Sequence, residues 1–291
     1  FNRMREAGID VRAFIPVHFP AFTSKVNYRN HRKICVIDGE IGYIGGMNIA
    51  KRYVKGNNGM AWRDTHLRVM GGAVYGLQRA FLMDWYFIVR SIINGHAYYP
   101  ASKLTEPNDC IMQIVTDGPV SDWPEMMQGY VRILLEAKRY VYIETPYFLP
   151  TEPVMFAMRV AALAGVDVQL MIPLHSDARF VEWASRSYVR ESVDSGVKVF
   201  FYTAGFNHSK ILVADDSLCT CGSTNVDFRS FENNFEINAF IYDRRTAIRM
   251  KGIFHDDLNH CIPYEEYMRH RRLSFPQRLW ESLVRLFSPL M

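Results

Sequence analysis

The sequence predicts an α/β protein in which one unit is used twice. Each copy is expected to be a mainly parallel central sheet flanked by helices, the two related by a pseudo-twofold axis, with the first copy truncated at its start. Three observations predict this. A long motif occurs twice, each copy follows a similar lead-in of helix end, glycine and strand, and strand-like and helix-like stretches alternate around them.

Taking the elements in order, Phe1-Asn2-Arg3-Met4-Arg5-Glu6-Ala7-Gly8 reads as the last turns of a helix stopped by a glycine, with a strand over Ile9–Phe14. Ser195-Gly196 followed by Val197–Tyr202 repeats that lead-in. The first motif runs from His31-Arg32-Lys33 through Asp38 to Gly45-Gly46-Met47-Asn48, and the second from His208-Ser209-Lys210 through Asp215 to Gly222-Ser223-Thr224-Asn225. Both read H-x-K-x4-D-x6-G-G/S-x-N, with identical spacing throughout. Residues 69–93 are apolar enough for a helix lying on the first sheet, and the polar stretch 100–110, with Pro100 and Pro107, reads as the linker between copies. Val141–Ile143 and Val166–Ile172 read as buried strands. Residues 124–138, 152–164 and 178–195 carry helical spacing, with Gly165 and Gly196 where helices end. The expected division is 1–105 for the first repeat, 106–262 for the second and 263–291 for a basic amphipathic tail. The second copy has two strand–helix units before its motif, whereas the first has a helix remnant and one strand; this predicts that the first is shortened at its front.

The bulk properties are those of a packed globular protein: 291 residues, 49% apolar, 14% aromatic and 22% charged. A net charge of +4 leans toward anionic partners and leaves nucleic acid, anionic lipid and small phosphates open. Cys35, Cys110, Cys219, Cys221 and Cys261 form no zinc-like or disulfide framework, and Cys219 and Cys221 read as strand packing. No apolar run reaches the ~18 residues that span a bilayer, and no signal-like segment is present.

A phosphodiester is attacked most easily by a group unprotonated near neutral pH, and neutral imidazole is such a group. A second imidazole on the opposite side can protonate the leaving alkoxide. One histidine from each copy, His31 and His208, supplies both roles. Lys33, Lys210, Asn48 and Asn225 are expected around the non-bridging oxygens, where they offset transition-state charge. His and Lys two apart on a strand share a face. Asp38 and Asp215 fall at strand ends and are assigned to the following turn, and Gly45, Gly46 and Gly222 are expected to let the backbone approach the phosphate. Asp64 and Glu236 occupy comparable places after Asn48 and Asn225, where each can hold a histidine through Nδ1. No metal or other cofactor is expected. His255 and His260, five apart, do not share a helix face and read as surface.

These motifs resemble the paired His-Lys-Asp signature of the phospholipase D superfamily, and within it the bacterial cardiolipin synthases. The resemblance spans the chain and includes Gly45–Ala50, Trp62-Arg63-Asp64-Thr65, Asp84-Trp85, Glu144–Pro150, Asn225–Ser230, Asn234-Phe235-Glu236 and Phe287–Met291. It implies two phospholipase D-like repeats and phosphatidyl transfer from one phosphatidylglycerol to another through a phosphatidyl-histidine, with glycerol released. It further implies His31 as nucleophile and His208 as general acid and then base; the residues themselves do not order the pair. Such synthases begin with two membrane-spanning helices, so the resemblance also implies the bacterial cytoplasmic membrane. A hydrolytic phospholipase D or a phosphodiesterase nuclease would use the same motifs, and the small charge excess, without an aromatic-interleaved basic groove, speaks against nucleic acid. Phosphatidylglycerol and phosphatidylethanolamine both stay open as the second substrate.

In the tail, Leu279, Trp280, Leu283, Val284, Leu286 and Phe287 fall on one helical arc and Gln277, Arg278, Glu281, Ser282 and Arg285 on the other. Arg269-His270-Arg271-Arg272 precede it. This pattern suits either the surface of an anionic bilayer or packing on the protein core.

Overall fold

The computed structural model describes residues 1–15, 28–57, 59–101, 109–269, 271 and 274–291. Most of the expected linker, and His270 and Arg272 of the basic cluster, lie outside the described residues. The first part of the chain forms α1 (Asn2–Glu6), β1 (Ile34–Ile37), β2 (Ile41–Gly45), α2 (Arg52–Lys55), β3 (Trp62–Arg63), β4 (His66–Met70) and α3 (Ala73–Val89). There follow β5 (Ile111–Asp117), α4 (Glu125–Glu136), β6 (Tyr140–Glu144), β7 (Phe148–Leu149), α5 (Glu152–Leu163), β8 (Asp167–Pro173), α6 (Arg179–Asp194) and β9 (Lys198–Tyr202). The second motif brings β10 (Phe206–Asn207), β11 (Ile211–Ala214), β12 (Leu218–Gly222), β13 (Val226–Asp227), α7 (Phe228–Glu232), β14 (Glu236–Tyr242) and α8 (Arg244–Leu258). The chain closes with β15 (Cys261–Pro263), α9 (Tyr264–Met268) and α10 (Phe275–Arg285).

The α/β class is as expected, with a central sheet of order β15-β9-β8-β6-β11-β12-β14-β5 between helices and a three-stranded sheet β1-β2-β4. The central sheet is mixed rather than mainly parallel. Within that sheet the parallel pairs are β6 with β8 and β8 with β9, because α5 and α6 carry the chain back across the sheet between them. The motif is itself a tight hairpin: β11 and β12 pair antiparallel, as do β1 and β2. Asp215 and Asp216 turn the second hairpin at φ 55° and 56°, and Asp38 turns the first at φ 53°. The strand expected over Ile9–Phe14 does not form, since those residues find no partner strand among the described ones. Phe14 instead packs against Phe87 and Phe235. The helix expected over 69–93 starts at Ala73, because Val69 and Met70 are drawn into β4 beside β2.

Strands buried on both faces make two cores. On one face Leu170 and Leu212 meet Tyr130 and Leu134 of α4 and Met155 and Met158 of α5. On the other, Met171, Val213 and Ile237 meet Phe254 of α8 together with Ile44, Val74 and Leu77 of the first unit. Cys219 and Cys221 are buried in this second core, and burial pushes the Cys219 thiol up to about 12. His255 and His260 are exposed.

Of the two orientations its sequence allows, helix α10 takes the one that leaves most of the apolar arc exposed. Glu281, of the polar arc, is fully buried against α6, where it accepts from Arg190 and lies 3.9 Å from Arg186. Arg285 bonds Glu191 at 2.6 Å, and Val284 is the apolar residue that α10 buries. Leu279, Trp280, Leu283, Leu286 and Phe287 are 46 to 74% exposed.

Asp215 is placed as the sequence suggests, in the turn. Its carboxylate accepts the backbone N–H groups of Lys138 (2.7 Å), Arg139 (2.8 Å) and Tyr140 (3.0 Å). Burial opposes ionisation there, but these donors outweigh it and hold the carboxyl below its ordinary value. Replacing Asp215 by alanine orphans three donors and is expected to cost about 3 kcal/mol of stability. Asp38 has no hydrogen bond among the described residues, so Asp38→Ala is expected to cost clearly less. Urea unfolding of the two variants checks the difference.

Candidate active site

Two short backbone pairings between the halves build the site. β3 and β10 run parallel, with Trp62 opposite Phe206 and Arg63 opposite Asn207, and the His208 amide donates to the Arg63 carbonyl at 2.7 Å. That register sets His208 beside Asp64. The mirror pairing joins Asn30 to Phe235, with the His31 amide donating to the Phe235 carbonyl at 2.9 Å, and sets His31 beside Glu236. Each histidine is therefore held by the acid of the other half: His31 Nδ1 lies 2.8 Å from Glu236 Oε1, and His208 Nδ1 lies 2.8 Å from Asp64 Oδ2.

Both acids are buried and supported. Ser223 donates its hydroxyl to Glu236, and Asn234 Nδ2 does so at 3.1 Å. Burial alone would raise Glu236, but His31 and Lys33 reverse this and hold it ionised. The Thr65 amide donates to Asp64 at 2.8 Å.

The histidine environments differ. The His31 side chain is 26% exposed, whereas that of His208 is 5% exposed. Around His208 Nδ1 stand Asp64, the Lys210 ammonium at 2.9 Å and the Tyr53 hydroxyl at 3.0 Å. One ring nitrogen makes one such bond at a time, and the carboxylate is the pure acceptor among them, so Nδ1–H donates to Asp64 and Nε2 is left bare. Burial, and then the neighbouring Lys210, pushes His208 down to about 3 against the opposing pull of Asp64. Trp62, Phe206, Tyr53 and Tyr147 surround the ring with centroids 5.4 to 6.5 Å away.

The lysines are placed alike: Lys33 Nζ donates to the His31 carbonyl at 2.6 Å and Lys210 Nζ to the His208 carbonyl at 2.5 Å. Burial lowers Lys33 to about 7 and Lys210 to about 8, and Glu236 and Asp64 partly oppose this at both. All four motif and acid partners thus share one electrostatic site. Asn48 Nδ2 reaches the Tyr53 hydroxyl at 3.4 Å, and Asn225 Nδ2 donates to Asp227 at 3.0 Å. Asp38 and Asp215 stand apart, in the hairpin turns. The glycines serve closeness of another kind than expected. A Cβ at Gly46 would lie 2.3 Å from the Asp64 carboxylate, and one at Gly222 would lie 2.3 Å from the Ile237 carbonyl. The close neighbour is the protein itself.

Several contributors were not singled out from the sequence. Arg63 bonds Ser209 at 2.9 Å and Asp257 of α8 at 3.0 Å, while Arg32 pairs with Asp84 of α3 and donates to the Glu236 carbonyl at 3.1 Å. Each is the variable or flanking residue of a motif, and the Trp62-Arg63-Asp64 and Asp84-Trp85 stretches were the available signal. Tyr53 carried none. Beside His31 opens a pocket of about 300 Å³, which Arg29, Tyr147, Asn225, Arg229 and Asn234 also line. Among the described residues no group of three or more His, Cys, Asp or Glu is arranged to hold a metal ion.

A family model described as cardiolipin synthase, phospholipase D-like domain, matches residues 130–258. Over its whole length the chain is 41% identical to cardiolipin synthase 2 of Bacillus cereus, covering 56% of that protein. It is 40% identical to the major cardiolipin synthase ClsA of Bacillus subtilis, covering 60% of it. The chain thus spans under two thirds of the curated relatives it matches. A phosphatidylserine synthase from Haemophilus influenzae has the same fold, with a TM-score of 0.72 at 14% identity over 92% of this chain and 72% of that one.

His208 should resist protonation. With its pKa depressed, His208 is neutral throughout pH 5–8, and ¹⁵N NMR should show a neutral ring with the proton on Nδ1 across that range. Lys210→Met removes the second cause of the depression and should raise the pKa. A His208 that titrates near 6.5, its unperturbed value, would contradict this electrostatic picture.

Proposed function

We propose that this chain belongs to the phospholipase D superfamily and transfers a phosphatidyl group from one phosphatidylglycerol to another, giving cardiolipin and glycerol. The carrying observation is the crossed pair of histidine–carboxylate contacts with a lysine beside each histidine, which supports a reading in which both imidazoles and both lysines serve one phosphate. The identity of about 40% to proteins named cardiolipin synthase supports lipid transfer over nuclease action. We divide the chain at 105/106 and 262/263, a reading supported by β5 pairing with β14.

His31, bordering the open pocket, attacks through Nε2. The new P–N bond forms, the P–O bond to glycerol breaks, and His208 Nε2 gives the leaving oxygen its proton. His208 acquires that proton as the anionic phosphate arrives, because the added negative charge offsets the Lys210 field. In the second half the terminal hydroxyl of the acceptor lipid forms the new P–O bond and returns its proton to His208. The P–N bond then breaks and frees His31. Glu236 and Asp64 hold the ring tautomers throughout. Lys33, Lys210 and Asn48 stabilise the charge on the non-bridging oxygens; Asn225, expected beside them, commits its amide nitrogen to Asp227 instead, while Asp38 and Asp215 serve the hairpins.

The substrate is a membrane lipid, and the exposed apolar side of α10 supports work at a bilayer surface. Leu279, Leu283 and Leu286 are exposed, Trp280 is half-exposed beside Trp183, and Arg271 and Arg278 are exposed as well. Among the described residues no helix is long and apolar enough to cross a membrane.

Incubating the purified full chain with phosphatidylglycerol should yield cardiolipin and glycerol in equal amounts, and His31→Asn or His208→Asn should abolish both. Phosphatidic acid as the sole lipid product would establish a hydrolase instead, and cleavage of DNA with no lipid product a nuclease. Replacing Leu279, Leu283 and Leu286 together by serine should weaken sedimentation with anionic vesicles by at least about tenfold, the factor that the roughly 1.5 kcal/mol of one fully buried leucine alone would give. Unaltered sedimentation would refute the bilayer contact.

A further inference from the structure

The pocket beside His31 has a chemistry that phosphatidyl transfer at the two histidines does not use. Arg29 and Arg229 line it, and neither makes a side-chain hydrogen bond or ion pair among the described residues. Two buried amides line it as well. Asn225 commits its Nδ2 to Asp227 at 3.0 Å and Asn234 commits its Nδ2 to Glu236 at 3.1 Å. Because the amino ends face carboxylates, the amide orientations are fixed and the Oδ1 atoms look elsewhere. Both oxygens are buried without a partner. A buried acceptor left unmatched is costly and calls for a donor. Asp227 also lines the pocket and its carboxylate is engaged by the Ser230 amide at 2.7 Å and by Asn225, so the pocket sets one carboxylate against two guanidinium groups and keeps an excess of positive charge.

Two unpaired guanidinium groups and two unmatched acceptors describe a ligand with an anionic group and neutral hydroxyl donors. We propose that this pocket is the acceptor subsite, in which Arg29 and Arg229 bind the phosphate of the second phosphatidylglycerol and Asn225 and Asn234 accept hydrogen bonds from its glycerol hydroxyls. The inference rests on the phosphatidyl-transfer reading above and extends it to the second substrate. Binding there sets the terminal hydroxyl beside His31, where the phosphatidyl group is carried.

The test uses competition for the shared intermediate. The purified full chain is given phosphatidylglycerol in detergent micelles together with a fixed concentration of ethanol, and the ratio of cardiolipin to phosphatidylethanol is measured. Ethanol carries no phosphate, so the ratio reports acceptor binding whatever the rate of the donor step. Arg29→Gln with Arg229→Gln should lower that ratio about tenfold, as expected for losing charge-assisted contacts to a phosphate, and Arg29→Lys with Arg229→Lys should restore most of it. A ratio unchanged in the glutamine variant would overturn the subsite while leaving phosphatidyl transfer standing. A wild-type protein that forms phosphatidylethanol but no cardiolipin would overturn the underlying reading, and the subsite with it.

Discussion

Everything in the site depends on two backbone pairings only a residue or two long. Trp62–Arg63 against Phe206–Asn207, and Asn30 against Phe235, are too short to stabilise much by themselves. What they do is fix a register, and the register decides which carboxylate each imidazole meets. Larger forces keep the pairings in place. α3 and the first hairpin pack through Ile44, Val74 and Leu77 into the core that α8 also fills, and Arg63 and Arg32 tie the pairings to α8 and α3. Apolar burial supplies the stability, and the polar links convert it into position.

The same arrangement explains how so many ionisable groups share a dry site. Lys33 and Lys210 are buried next to histidines, which by itself would strip them of charge, and the two acids partly restore it. Glu236 is ionised for the reciprocal reason. The charges are held by one another, so the site is poised to accept an anion. The two histidines are not equivalent despite the matched motifs: Tyr53 and a ring of aromatics enclose His208, whereas His31 faces an open pocket.

Much of this was legible in the sequence. Spacing alone identified both histidines, both lysines and the turn aspartates, and comparable position pointed to Asp64 and Glu236. What it did not contain was the exchange of acids between halves, because a parallel ladder of two residues leaves no periodic signature. The hairpin nature of the motif was hidden for a related reason. Strands buried on both faces read as apolar whichever way they run, and direction was set by the aspartate turn. The facing of α10 was left open. A helical projection separates its apolar and polar arcs but does not say which meets the protein, and the arginines that draw Glu281 inward lie on α6, far away in the chain. Gly46 and Gly222 were correctly marked as points of close approach, although what approaches is a carboxylate and a carbonyl of the protein.

The exchanged acids have a consequence for how such a chain can vary. Duplication ordinarily yields two modules, each free to drift, be trimmed or be swapped for another. Here the segment matched by the family model, residues 130–258, contains His208 but not Asp64, and Glu236 but not the histidine it serves. Neither copy owns a complete chemical unit. The chemical unit is the crossed pair, so the loss of the carboxylate at residue 64 is felt at His208 and the loss of the one at 236 at His31, and neither half can be exchanged without the other.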